Sequence, residues 1–100
     1  MPGRTTSDPA FHYVYVLESS IDGNKYVGMT KDLRRRLKEH NGGESIATRS
    51  RRPLALIYYE AGLSYKDAAT REKYYKTTGG RRSLAKRLRD YMSVRNPKLS

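Results

Sequence analysis

Hydrophobic and polar positions follow two different periods along this chain, and the switch between them marks its elements. Residues 12–18, HYVYVLE, are rich in β-branched and aromatic side chains and nearly all apolar at consecutive positions, the pattern of a central strand covered on both faces. SSIDGNK follows with strong turn chemistry at Asp22, Gly23 and Asn24, and KYVGM resumes as a second strand, which predicts a hairpin. Gly28, near the end of that strand, marks a place where backbone or ligand must approach closely. The period then lengthens to that of a helix, capped by Thr30 or Asp32, running to about Asn41 and ended by Gly42-Gly43. ESIATRSRRP, residues 44–53, has neither period and three arginines, so it reads as a basic loop.

LALIYYE, 54–60, is a third strand. Ser64 followed by Asp67 is a capping signature for a second helix, expected to run to about Thr77 and to stop at Gly79-Gly80. Leu84, Leu88, Tyr91 and Met92 form one apolar stripe on a last helix over about 82–94. The order ββαβαα predicts an α+β domain over residues 11–94, a three-stranded antiparallel sheet flanked by helices, between flexible tails at 1–10 and 95–100.

Two strongly polar residues fall on the wrong side of the first helix. With Leu33 at zero on a wheel of about 100° per residue, Leu37 lies near +40°, His40 near −20° and Arg36 near −60°. Arg34, Arg35, Lys38 and Glu39 occupy the far side. Burying an unpaired guanidinium costs several kcal/mol, so Arg36 either snorkels to water or has a partner. On the second helix Glu72 sits in the middle of an inward stripe with Tyr65, Ala68, Ala69 and Lys76. A carboxylate there is either the structural partner of Arg36 or the holder of a metal ion. Tyr15 and Tyr26, eleven positions apart across the hairpin, approach each other if both project from one face. Two phenols, a guanidinium, an imidazole and a carboxylate on one concave patch suit phosphodiester hydrolysis, which needs charge for the developing oxyanion and groups that manage protons.

Composition strengthens that direction. The 100 residues suffice for one domain with a modest core. Lys and Arg number 21 against 10 Asp and Glu, a formal charge of +11 that favours a polyanionic partner. No long apolar helical face with basic flanks is present, which places nucleic acid ahead of a membrane surface. Nine Tyr, one Phe and no Trp form an unusual aromatic set. The absence of cysteine excludes disulfide and thiol chemistry. MPGRTTSDPA has no apolar run of signal-peptide type, and no run of 18 apolar residues occurs, so a cytoplasmic location is expected.

VY at 14–15, YVG at 26–28, LRRRLKEH at 33–40 and a glutamate in the next helix resemble the GIY-YIG nuclease family, most of all its small stand-alone bacterial members. The nuclease domain of the excision-repair incision protein is similar too, which suggests DNA repair. The likeness covers about residues 11–92. It implies metal-dependent, structure-selective or weakly specific cleavage of branched, nicked or duplex DNA by a monomer, with a partner protein as one source of specificity. By position, Tyr15 and Tyr26 match the two motif tyrosines, Arg36 the helix arginine, His40 the histidine one turn later and Glu72 the ligand of a single Mg²⁺ or Mn²⁺. Tyr13 stands where Gly is usual, and Met29 and Thr30 where many members have Lys; a late Asn is missing from KTTGGRRSL. In the mechanism so implied, Arg36 clamps a nonbridging oxygen and Tyr15 is the general base, with His40 accepting or orienting its proton. Arg34, Arg35, Lys38, Arg49, Arg51, Arg52, Arg81 and Arg82, with Lys86, Arg87 and Arg89, form an expected phosphate-tracking surface. The competing reading is a catalytically inert basic nucleic-acid-binding module on the same scaffold.

Overall fold

The computed structural model describes residues 11–95; of the expected tails at 1–10 and 95–100, all but Arg95 lies outside the described residues, and Arg95 ends the last helix. Three strands, β1 (His12–Ser19), β2 (Lys25–Thr30) and β3 (Leu54–Leu63), form one antiparallel sheet in the order β2-β1-β3. Helix α1 (Leu33–Asn41) joins β2 to a short 3-10 turn at Arg49–Arg51, and α2 (Tyr65–Tyr75), α3 (Thr78–Arg87) and α4 (Arg89–Arg95) follow β3. The predicted α+β architecture and hairpin are present.

β1 is apolar at consecutive positions because it is central. Val14 and Val16, both fully buried, pack with Val27 against Ala68 and Tyr75 of α2 and Leu84 and Leu88 at the end of the chain. The alternate residue, Tyr15, turns to the other face, where its ring meets His40 of α1. That alternation makes a layer on each side of the sheet.

Four expectations are corrected. First, β3 continues to Leu63, three residues beyond the predicted end. Second, Gly79-Gly80 does not end α2. The helix stops after Tyr75, and both glycines lie in the first turn of α3, where the Thr77 hydroxyl accepts from the Gly80 N–H at 3.0 Å. A Cβ at Gly80 would sit 1.7 Å from the carbonyl oxygen of Tyr74, so glycine is required there for two helices to touch backbone to backbone. Third, α2 is rotated by roughly 60° from the predicted stripe. Ala68 and Tyr75 are fully buried, whereas Tyr65 is 64 % exposed and Lys76 is exposed. The single last helix is in fact two, since Leu88 breaks helical geometry between α3 and α4.

The burial of Tyr75 brings its hydroxyl onto Glu60 of β3, where Tyr58 donates at 2.9 Å and Arg71 donates through Nε at 2.9 Å and a terminal nitrogen at 2.8 Å. These donors, the Arg71 pair above all, hold the Glu60 carboxyl at a pKa of about 2 against the opposing effect of burial. Because the folded pKa is depressed, the stabilisation is present at neutral pH and is lost as pH falls from the ordinary glutamate range toward about 2. Denaturant unfolding measured between pH 5 and 2 is expected to show a falling stability whose slope is largely removed by Glu60→Gln; replacement by Ala is expected to cost about 2–3 kcal/mol at neutral pH.

Candidate active site

The hairpin register sets Tyr15 opposite Gly28 and Leu17 opposite Tyr26. Two positions apart along the diagonal, the tyrosines share a face, with ring centroids 6.4 Å apart. Gly28 is what lets Tyr15 lie down. A Cβ there would be 2.5 Å from the Tyr15 hydroxyl and 2.6 Å from its Cζ, so the phenol occupies the space a side chain would fill. The close approach anticipated at this glycine is therefore made by Tyr15.

Helix α1 supplies the other half. Asp32 caps it, accepting from the Arg35 N–H at 3.0 Å, and this phases Arg36 and His40 one turn apart toward the sheet. His40 is fully buried, with its ring 5.7 Å from that of Tyr15 and 5.1 Å from that of Tyr26. Its Nε2 lies 2.9 Å from the Tyr15 hydroxyl, and its Nδ1 lies 2.7 Å from Oγ1 of Thr48. Arg36 donates to the Tyr15 oxygen through Nε at 3.4 Å and to Oε1 of Glu39 at 2.9 Å. The inward polar pair is thus explained: His40 is bonded at both ring nitrogens, and the half-buried guanidinium has an acceptor beside it.

Environment sets the protonation states. Burial pushes the Tyr15 phenol above its ordinary value, opposed by the Arg36 hydrogen bond and reinforced by Tyr26 and by the negative charge of Glu72. Burial, with the Arg36 charge, pushes His40 below its ordinary value against the weaker pull of Glu39. The hydrogen bond to Glu39, then that to Tyr15, keeps Arg36 charged, and Arg36 in turn holds Glu39 below the usual carboxylate range. At neutral pH the cluster is a phenol, a neutral imidazole and a guanidinium.

Glu72 is not the partner of Arg36. Its ion pair is with Lys76, at 3.3 Å one turn along α2, and its side chain is 23 % exposed. Its carboxylate is still close enough for its charge to act on Tyr15. Among the described residues no three His, Asp or Glu side chains converge.

Several of the basic residues line hollows of the surface. Arg51 and Arg81 line a groove of about 910 Å³ beside Tyr26, together with Lys25 and Lys76 on its rim and Val27, Leu84 and Met92 on its floor. Arg34 lines a different hollow with Tyr13, Leu37 and Tyr59, and Arg49 and Arg52 a third with Asn41 and Pro53. Arg35, Lys38 and Arg82 are exposed, and Arg35 is tied to Glu39 at 3.2 Å. In the groove, Arg51 is half-buried; its Nε has no hydrogen-bond partner, and Asp22 at 3.7 Å is an ion-pair neighbour only.

Sequence reasoning missed Glu39, Thr48, Lys25 and Lys76. Glu39 was readable in principle as the residue one turn after Arg36. Thr48 had no signal, because it reaches His40 from an aperiodic loop.

Two phenols, a guanidinium and an imidazole thus gather on one face of a small antiparallel sheet in an α+β scaffold, with the Glu72 carboxylate acting on Tyr15 from α2. The GIY-YIG catalytic domain model matches residues 11–87, and the chain belongs to the GIY-YIG family of nucleases. A UPF0213 protein of Bacillus pumilus is 43 % identical over 67 residues, covering 66 % of this chain and 67 % of the relative. One of Haloquadratum walsbyi is 41 % identical over 68 residues, covering 67 % and 75 %. The solution NMR structure of a UPF0213 protein from Bacillus halodurans is similar at 35 % identity and a TM-score of 0.48, covering 76 % of this chain and 83 % of that one.

Replacing Gly28 by Ala is expected to cost about 1–3 kcal/mol and to expel the Tyr15 ring from its slot. Aromatic NMR signals of Tyr15 and His40 are the readout: both shift in a chain that still folds if the slot exists, and neither shifts if it does not.

Proposed function

We propose that this protein is a metal-dependent DNA endonuclease that hydrolyses phosphodiester bonds at the Tyr15–Tyr26–Arg36–His40–Glu72 cluster. The observation that carries the reading is the shared hydroxyl of Tyr15, held at once by Arg36 and His40. A purely structural tyrosine needs one partner; this one has a cation on one side and a proton acceptor on the other.

The residues present fit a hard divalent cation. One partly exposed carboxylate with a displaceable lysine partner suits Mg²⁺ or Mn²⁺, which keep waters and take further ligands from phosphate. Glu72 would hold the ion, which when bound supplies positive charge to the reacting phosphate. Arg36 donates to a nonbridging phosphate oxygen with the hydrogen-bonding nitrogens not committed to Glu39, and its charge favours the negative phosphorane. The attacking water gives its proton to the Tyr15 oxygen as its own oxygen bonds to phosphorus. The phenol passes its own proton to Nε2 of His40 as it does so, the bond to the leaving sugar oxygen breaks with its electron pair, and that oxygen takes a proton from solvent. Tyr26, its ring against His40, orients water or phosphate. The strand adjoining the reacting phosphate runs along the groove of Lys25, Arg51, Lys76 and Arg81, where phosphate replaces the looser partners those cations now have, at 3.8 Å for Lys25 with Glu18 and 3.7 Å for Arg51 with Asp22.

Purified protein incubated with branched, nicked and duplex DNA in Mg²⁺ or Mn²⁺ is expected to give product that EDTA abolishes. Glu72→Ala and Arg36→Ala are each expected to lower turnover by about 10²–10³-fold with binding retained. Removing Lys25 and Arg81 together is expected instead to weaken binding and flatten its salt dependence by about two charges. Binding without product in every metal tested establishes the inert module in place of the nuclease.

A further inference from the structure

Resting on the nuclease reading, we infer that Thr48 is a positioning residue that fixes the tautomer of His40, so that Nε2 is always the bare nitrogen facing Tyr15.

The assignment comes from following protons through four buried or half-buried groups. Arg36 has only donors, so its Nε–H at 3.4 Å must point at the Tyr15 oxygen. Tyr15 is 2 % exposed, and among the described residues the one acceptor its hydroxyl meets is His40 Nε2 at 2.9 Å. The phenol therefore donates to Nε2, and Nε2 carries no hydrogen. A neutral imidazole has one N–H, which is then on Nδ1, and Thr48 Oγ1 at 2.7 Å is its acceptor. Burial and the Arg36 charge, which disfavour the imidazolium, agree with a neutral ring.

Thr48 is itself fully buried, so its oxygen is no solvent-side accident. The loop that carries it is anchored at both ends. Asn41 bonds both backbone groups of Leu54, donating at 3.0 Å and accepting at 2.8 Å, and Ser19 donates to the Arg51 carbonyl at 2.7 Å. Within the loop the Thr48 N–H donates to the Ser45 carbonyl at 3.3 Å. The basic, aperiodic stretch of residues 44–53 thus has a second task, presenting one hydroxyl to the back of the imidazole.

The consequence is directional. When the phenol gives its proton to Nε2, His40 becomes an imidazolium with both N–H groups engaged, one on the Tyr15 oxygenate and one on Thr48. If Nδ1 had no acceptor, a buried unpaired N–H would result, and the ring would relieve it by carrying its proton on Nε2. That proton would then point at Tyr15 and the relay would have no entrance.

The test is the nitrogen NMR of a chain with only two histidines, using two-bond couplings from ring protons to assign the tautomer of His40. Wild type and Thr48→Ser are expected to show the proton on Nδ1, and the isosteric Thr48→Val to move it to Nε2. In the cleavage assay Thr48→Val is expected to lose about a hundredfold in kcat with DNA affinity unchanged, and Thr48→Ser to restore most of it. A proton on Nε2 in the wild-type protein, or an unchanged tautomer in a folded Thr48→Val, overturns the assignment. Should Thr48→Val not fold, the wild-type and Thr48→Ser spectra decide alone. A wild-type protein that shows the Nδ1 tautomer and cleaves nothing sinks the nuclease reading and leaves the tautomer assignment standing, so the two failures are distinguishable.

Discussion

The hydroxyl of Tyr15 lies where a side chain at position 28 would be, and from there it meets His40 at 2.9 Å and Arg36 at 3.4 Å. Three elements converge on that oxygen. β1 provides the ring, β2 provides the missing side chain, and α1 provides the imidazole and guanidinium. The constraint is steric before it is electrostatic, because any residue larger than glycine at 28 would push the phenol out of reach. The proposed chemistry follows from where that oxygen is held.

The same constraint organises the protonation of the site. An isolated phenol, with a pKa near 10, is almost wholly protonated at neutral pH, and burial disfavours ionisation of Tyr15 further. What offsets this is a neutral histidine prepared to take the proton and an arginine prepared to stabilise what is left. Glu72 acts against ionisation of the phenol, since its negative charge raises the Tyr15 pKa. In the proposed reading, a cation held by Glu72 would oppose that effect and so favour the phenolate. Lys76, 3.3 Å from Glu72, is the present partner of that carboxylate.

How much of this was legible depended on which physical signal each residue leaves in sequence. The wheel placed Arg36 and His40 inward, and they are inward, because capping by Asp32 and the helical period fix angles along one helix. Gly28 was readable as a close approach, because a glycine late in a strand has few other reasons. The second helix shows the limit. The period gave the relative angles of Tyr65, Ala68, Glu72 and Tyr75, but the stripe that faces the sheet was chosen by the Glu60–Arg71–Tyr75 network, and this turned Tyr65 outward. Gly79-Gly80 misled for a related reason: glycine serves both to end a helix and to let helices touch, and only the position of the Tyr74 carbonyl decides between them. Thr48 and the split of the arginines among three hollows depend on the path of a loop without period. No spacing rule reaches them.

The central claim is that one phenolic oxygen carries the proton chemistry, and Tyr15→Phe tests it with the least disturbance, since the ring keeps its slot against Gly28 and only the oxygen is removed. Single-turnover cleavage by this variant, compared with wild type on the same bound DNA, is expected to fall by about 10²–10⁴-fold at every pH, with folding and affinity retained. Cleavage at close to the wild-type rate would contradict the account.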